Sequence, residues 1–321
     1  MNIRHTLLLI VLLLLAAWSV AGGEDAKPTN VQTKKKIAEY IAADEAGREK
    51  LSAYFKGLPP LAKKDCAKWL AEIQNAAAAQ LKKAVQKALG KDDETFAKAG
   101  VFNVEAAGAK MKYFFRTGGK RGANGYPLYI NLHGGGDSAE VNESAWETAK
   151  GQYSVSGSLI VPRSTQDVAL SWAVPEAWPL VDRLLYESFL LRDVDPDSVY
   201  LMGYSMGGWG TLLMAPAMAD RWAACAASAG GEHVQRAFPE NLRNTPIIIQ
   251  IGTDDNAFQR YALSKAYADK LKELKAADPD GYKYEYKEHK GAAHQIDDSG
   301  NPKWLAQYTR DTYPKKIVWR P

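Results

Sequence analysis

Residues 199–210 read Val-Tyr-Leu-Met-Gly-Tyr-Ser-Met-Gly-Gly-Trp-Gly: an apolar strand runs straight into Gly-x-Ser-x-Gly and then into a helical stretch, Thr211 to Ala215, ahead of Pro216. A serine held this way sits on a sharp, strained strand-to-helix turn that lifts its hydroxyl clear of a sheet. Gly203 and Gly207 leave room for the strand and helix to approach, and larger side chains there would clash. Because Gly-x-Ser-x-Gly recurs by chance in unrelated proteins, the strand before it and the helix after it carry the specificity. Ser205 is the candidate nucleophile.

The surrounding grammar fits such a turn. After Gly100, short β-rich runs (Lys112 to Arg116, Pro127 to Leu132, Ser158 to Val161, Ser198 to Met202, Ala223 to Ala229, Pro246 to Ile251 and Tyr282 to His289) are separated by helical patterns, notably Pro175 to Leu191 and Arg260 to Lys275. Strands alternating with helices imply an α/β domain with a mostly parallel central sheet covered by helices on both faces. Ile247-Ile248-Ile249-Gln250-Ile251 reads as a central strand buried on both sides.

Upstream, Leu128-Tyr129-Ile130-Asn131-Leu132 ends in His133-Gly134-Gly135-Gly136, the glycine-rich pattern whose backbone amides form oxyanion holes in lipases and esterases. Glycine lets the backbone approach a developing oxyanion closely. The Met206 amide, at a helix start, is one expected donor and the Gly135 amide the other, with Gly134 as the neighbouring alternative; one such donor contributes about 3 kcal/mol. An acid is expected at the end of the buried strand, where Gly252-Thr253-Asp254-Asp255 offers two aspartates, one for the site and one to cap the next helix. Glu232, after the preceding strand, is a third choice. A histidine should follow the last strand, and Lys290-Gly291-Ala292-Ala293-His294 supplies a small-residue loop able to carry His294 back over the serine, with His289 as its rival. His133 precedes the serine, against the order serine, acid, histidine, and is expected to be structural.

The elbow, its Val194-Asp195-Pro196-Asp197-Ser198-Val199-Tyr200 lead-in and the His133–Gly136 motif together resemble secreted bacterial α/β-hydrolase esterases, of the feruloyl esterase, polyhydroxyalkanoate depolymerase and phospholipase/carboxylesterase groups. The resemblance covers roughly Met111 to Val318. It implies the α/β-hydrolase fold, a triad of Ser205, Asp255 and His294, and cofactor-free acyl transfer to water. The acid in similar hydrolases lies three residues after the glycine, which is what favours Asp255 over Asp254. The chain departs from the family in lacking Val-Pro after the acid, where it has Asn256-Ala257, and its helical segment before Gly100 has no counterpart there.

The expected function is therefore an ester hydrolase working through an acyl-enzyme, with an ester substrate, small or polymer-linked, as its partner. Trp146, Trp172, Trp178 and Trp209 are candidates to line an acyl or aryl pocket, packing being the commoner use of tryptophan. A prolyl-peptidase-like serine peptidase shares the elbow but is expected with a propeller domain, and no such repeat stands in the sequence. A non-catalytic binding protein on a hydrolase scaffold would not need all three residue types in this chain order. With no HExxH and no Cys/His cluster at zinc spacing, no catalytic metal is expected, and the resemblance implies that no cofactor is needed.

The N-terminus carries Arg4, an apolar run from Leu7 to Ala17, and Ser19 and Ala21 flanking Val20. This reads as a signal peptide, residues 1–21, too short to span a bilayer comfortably, and implies export to the periplasm or beyond with no membrane insertion after cleavage. Residues 22–100 read as a helical segment with a break at Pro59-Pro60, and 101–321 as the catalytic domain. A net charge of +4, with no arginine-rich tract and no block of one sign running through the chain, does not imply nucleic-acid binding, and the short basic runs such as Lys34-Lys35-Lys36 read as solvated helix faces. Cys66 and Cys225 leave a disulfide open, and the oligomeric state is not legible.

Overall fold

A computed structural model describes residues 98–321 throughout and, before them, residues 35–36, 39–40, 43, 46–47, 49, 51, 79–80, 82–83 and 86–87. The chain divides into two compact units, residues 1–91 and 92–321. The described residues of the first unit are helical except Ala43, and Tyr40 is buried. The signal-peptide span, Pro59-Pro60 and Cys66 lie outside the described residues. Cys225 is a buried free thiol. Among the described residues, no helix is long and apolar enough to cross a membrane.

The second unit is built on one eight-stranded sheet. Its elements run β1 (Gly100–Ala106), β2 (Ala109–Gly118), β3 (Tyr126–Leu132), α1 (Ala139–Ala149), β4 (Gly157–Pro162), α2 (Ala177–Leu191), β5 (Val194–Tyr204), α3 (Met206–Ala217), β6 (Ala224–Ser228), α4 (Val234–Ala237), β7 (Ile247–Gly252), α5 (Arg260–Ala277), β8 (Tyr284–His289) and α6 (Asn301–Leu305). The strand order is β1-β2-β4-β3-β5-β6-β7-β8, antiparallel from β1 to β4 and parallel from there on. Strand β1 is absent from the sequence expectation. It is an edge strand with a weak alternation, Phe102 and Val104 inward, joined to β2 by Ala107-Gly108, both at positive φ as a tight hairpin turn requires.

Period two sorts the central strands between two cores. Leu128, Ile130, Leu201, Cys225, Ile247 and Ile249 face α2, α3 and α5, while Tyr129, Tyr200, Met202, Ala224, Ala226 and Ile248 pack with Trp146 of α1 and Leu305 of α6. Burial on both faces is what a parallel sheet with helices on each side demands. Gln250 is the polar exception in β7, and it is buried.

Helix α3 runs past the proline expected to end it. Pro216 has no N–H to offer the Leu212 carbonyl four residues back. The Tyr267 hydroxyl of α5 donates to that carbonyl instead, at 3.3 Å, so the helix can continue to Ala217.

Candidate active site

Ser205 stands between β5 and α3 at φ 58°, ψ −119°, a conformation costly for a side-chain-bearing residue and worth about 1–3 kcal/mol of strain. The neighbours hold it there. The Ser205 N–H donates to the Ser228 carbonyl at 2.9 Å, and the Trp209 N–H to the Ser205 carbonyl at 3.0 Å. A Cβ on Gly203 would collide with the Gly207 carbonyl, and one on Gly207 with the Leu132 carbonyl, so these two positions admit glycine alone. The glycines are thus required by the crossing of β3, β5 and α3 rather than by turn freedom.

The parallel strands β5, β7 and β8 end on the same edge of the sheet, and the residues that follow them meet there. His294, after β8, has its Nε2 at 2.9 Å from Ser205 Oγ and its Nδ1 at 2.8 Å from Asp255 Oδ2. Asp255, after β7, is only 2% exposed. Arg260 forks it, with Nε donating to both carboxylate oxygens at 2.9 Å and Nη2 to Oδ1 at 2.6 Å. Burial pushes the Asp255 carboxyl up, but the bonds from Arg260 and His294 outweigh it and leave its pKa below the ordinary value. The carboxylate is therefore ionised, and it favours the His294 tautomer with the proton on Nδ1 and a free base at Nε2 toward the serine.

The rivals lie elsewhere. Asp254 is exposed, its carboxylate accepting from the Thr253 hydroxyl at 3.2 Å, and α5 has no side-chain cap, so the expected capping role is not observed. Glu232 is fully buried, with Oε1 accepting from the His233 N–H at 2.7 Å; burial raises its pKa. The His289 ring bonds to Gln250 Oε1 at 3.0 Å. His133 is enclosed: Nδ1 bonds to the Gly134 carbonyl, Nε2 accepts from the Ser164 N–H at 3.0 Å, and Trp172 stands edge-on at 5.2 Å. Burial lowers its pKa to about 4, so the ring is neutral.

Gly134 brings its Cα against Ser205, since a Cβ there would lie 3.3 Å from Ser205 Cβ. Gly135 adopts φ 137° and is followed by Gly136, whose N–H donates to Asn142 Oδ1 at 2.9 Å; Asn142 in turn donates to the Gly136 carbonyl and to Asp167. Asn142 thus clamps the glycine loop against α1. The Gly134, Gly135 and Met206 amides have no acceptor among the described residues, and Met206 opens α3, where the helix dipole favours negative charge. These are donors available to an oxyanion.

Of the four tryptophans, Trp146 and Trp172 are core residues, their indole N–H groups bonded to the Val161 and His133 carbonyls. Trp178 is partly exposed and donates to the Trp172 carbonyl, and Trp209 is half-buried, four residues after Ser205.

Three site residues escaped the sequence reading. Arg260 is the first residue of α5, where a cation opposes the helix dipole, and that misfit was the available signal of a nearby acid. Tyr204 donates to the His294 carbonyl at 2.6 Å and accepts from the Ile296 N–H at 3.0 Å, steadying the histidine loop from the nucleophile's own strand; nothing in Gly-x-Ser marks it. Gln250 bonds to residues at both ends of that loop. Among the described residues no group of three or more His, Cys, Asp or Glu side chains is placed to hold a metal ion.

No protein-family model and no curated protein matches this chain. Solved structures do resemble it. A thermostable esterase aligns with 67% of this chain and 64% of its own at 17% identity and a TM-score of 0.50. A ferulic acid esterase aligns over 65% and 98% at 14% identity and a TM-score of 0.46, and an acylaminoacyl peptidase of Pyrococcus horikoshii over 69% and 43% at 12% identity and 0.48. The chain thus spans 64% of the length of the thermostable esterase. Together with the sheet order, that likeness shows the α/β-hydrolase fold.

Proposed function

We propose that this chain is a serine hydrolase that cleaves carboxylic esters through an acyl-enzyme. The observation that carries the reading is the unbroken line from Ser205 Oγ through His294 to the buried, forked Asp255, at 2.9 and 2.8 Å, starting from a strained backbone. In this mechanism His294 Nε2 takes the Ser205 proton as Oγ attacks the acyl carbonyl, and returns it to the leaving alcohol. Asp255 keeps the imidazole oriented and stabilises the imidazolium, and Arg260 keeps Asp255 ionised. Water activated by His294 then releases the acid. The Met206 amide, with that of Gly135 or Gly134, holds the oxyanion of each tetrahedral intermediate. Ester rather than peptide substrates are favoured by the pairing of His133–Gly136 with the elbow, the combination used by lipases and esterases.

The chain is further proposed to be exported, on the strength of residues 1–21, with the mature protein starting after Ala21. N-terminal sequencing of secreted material tests this.

Hydrolysis of p-nitrophenyl esters from acetate to longer acyl chains, with Ser205→Ala alongside, tests the reaction. Turnover lost in the variant supports the esterase and measures the acyl pocket. Turnover surviving Ser205→Ala refutes it. Fluorophosphonate labelling of Ser205 without ester turnover would favour a peptidase or a narrow natural substrate.

A further inference from the structure

The His294 loop, residues 290–300, leaves β8 and re-enters regular structure at α6, and its two flanking residues meet one side chain. His289, the last residue of β8, bonds through Nε2 to Gln250 Oε1 at 3.0 Å. Asn301, the first residue of α6, accepts from Gln250 Nε2 at 2.5 Å. Gln250 is buried in β7, in a strand that is otherwise isoleucine up to its terminal glycine. A buried primary amide in such a strand has a desolvation cost unless its groups are paired, and here both oxygen and nitrogen are used.

The direction of the bonds follows from their far end. Asp298 accepts from the Tyr153 hydroxyl at 2.5 Å and from Asn301 Nδ2 at 3.2 Å, and Asn301 Nδ2 also reaches Ser228 Oγ at 3.0 Å. A carboxylate only accepts, so Asn301 must present its nitrogen there and its oxygen to Gln250. Gln250 must then present its nitrogen to Asn301 and its oxygen to His289, whose Nε2 carries the proton. Every member has one orientation compatible with its neighbours. Ser228 closes the circuit, because its carbonyl receives the Ser205 N–H.

We propose that Gln250 is a positioning residue that sets the span of the His294 loop by tying both ends of it to β7, and through Ser228 ties that loop to the elbow. The inference rests on the proposed function for its catalytic consequence, but not for the anchoring itself. Other bonds hold the loop locally: Thr253 Oγ accepts from the Gly291 N–H, the Asp254 N–H donates to the Ala292 carbonyl, and Tyr204 holds His294 and Ile296. These fix its first half and its middle. The return into α6 depends on the Asn301 bonds and on the Tyr153–Asp298 bond, and among the described residues Gln250 is the side chain that bonds to both flanking residues. A misplacement of about 1 Å at a reacting group costs on the order of 10²-fold in rate, so slack in this span reaches the Ser205–His294 bond.

The test compares the wild-type chain with Gln250→Met, which keeps the length and cannot bridge, and with His289→Leu, which removes the donor at the half-buried end alone. Three quantities are read: the unfolding midpoint, kcat and KM on p-nitrophenyl acetate, and hydrogen exchange of residues 290–300 against that of α3. For folded Gln250→Met the expectation is kcat lower by about 30- to 100-fold, KM within about twofold, and faster exchange confined to 290–300. Wild-type-like exchange, or faster exchange with kcat unchanged, overturns the proposal. If Gln250→Met does not fold, His289→Leu decides by the same readings, with a kcat loss of about tenfold expected. If the wild type turns over no ester, the proposed function fails, and loop exchange in the variants still decides the anchoring by itself.

Discussion

Replacing Arg260 by methionine keeps much of the side chain's apolar length and removes the guanidinium from Asp255. The carboxylate is 2% exposed and Arg260 is 8% exposed, so water does not replace the three lost donations. Breaking a buried ion pair from one side costs about 3–5 kcal/mol; the surviving His294 Nδ1–H bond places this case at the lower end, about 3 kcal/mol at pH 7. The pH dependence has a definite sign. In the wild type the Asp255 pKa lies below its ordinary 3.8, so its contribution is present above that value and lost as pH falls through the depressed one. In Arg260→Met, burial is opposed by His294 alone and the pKa rises above that of the wild type, so the variant takes up the proton at lower cost as pH falls. The gap between the two proteins should therefore narrow between pH 7 and pH 4. Urea unfolding at both pH values measures it, and the acid limb of kcat against pH should move upward in the variant. A loss below about 1 kcal/mol at pH 7, or a gap that widens on acidification, would refute the argument.

Asp255→Asn should lower kcat by about 10⁴-fold through the wrong histidine tautomer, while Asp254→Asn stays within about twofold, as steady-state kinetics on p-nitrophenyl acetate will show. Gly207→Ala sets a Cβ against the Leu132 carbonyl and should cost about 1–3 kcal/mol or more, read as a lower unfolding midpoint. Buried His133 has its pKa lowered from 6.5 to about 4, so the unfolded chain binds the extra proton and stability is lost as pH falls from about 6.5 to about 4. At about 1.4 kcal/mol per pH unit the loss approaches 3 kcal/mol; His133→Gln should flatten that part of the stability–pH curve, and an unchanged slope would count against the assignment.

What could be read from the residues was whatever has a local cause. The elbow is legible because the crowding of β3, β5 and α3 leaves Gly203 and Gly207 no alternative and writes itself as Gly-x-Ser-x-Gly. Of the eight strands, β2 to β7 are legible from their apolar residues, because a sheet covered by helices requires them; the edge strand β8, Tyr-Glu-Tyr-Lys-Glu-His, is legible by its alternation, and β1, an edge strand with two inward residues, carries too little apolar signal. Ser205, Asp255 and His294 could be nominated because each follows a strand that ends on one edge. Their meeting is another matter. Which of Asp254 and Asp255 meets His294 turns on a one-residue difference in direction that only the tertiary structure sets, burying one under Arg260 and leaving the other in water. The roles of Arg260, Tyr204 and Gln250 were decided there too, because each acts through a partner 5, 90 or 51 residues away on a different element or loop, and a single polar residue has no periodicity to announce its partner. Local chemistry is written along the chain, whereas hydrogen-bonded pairing across it exists only once the sheet has brought the strand ends together.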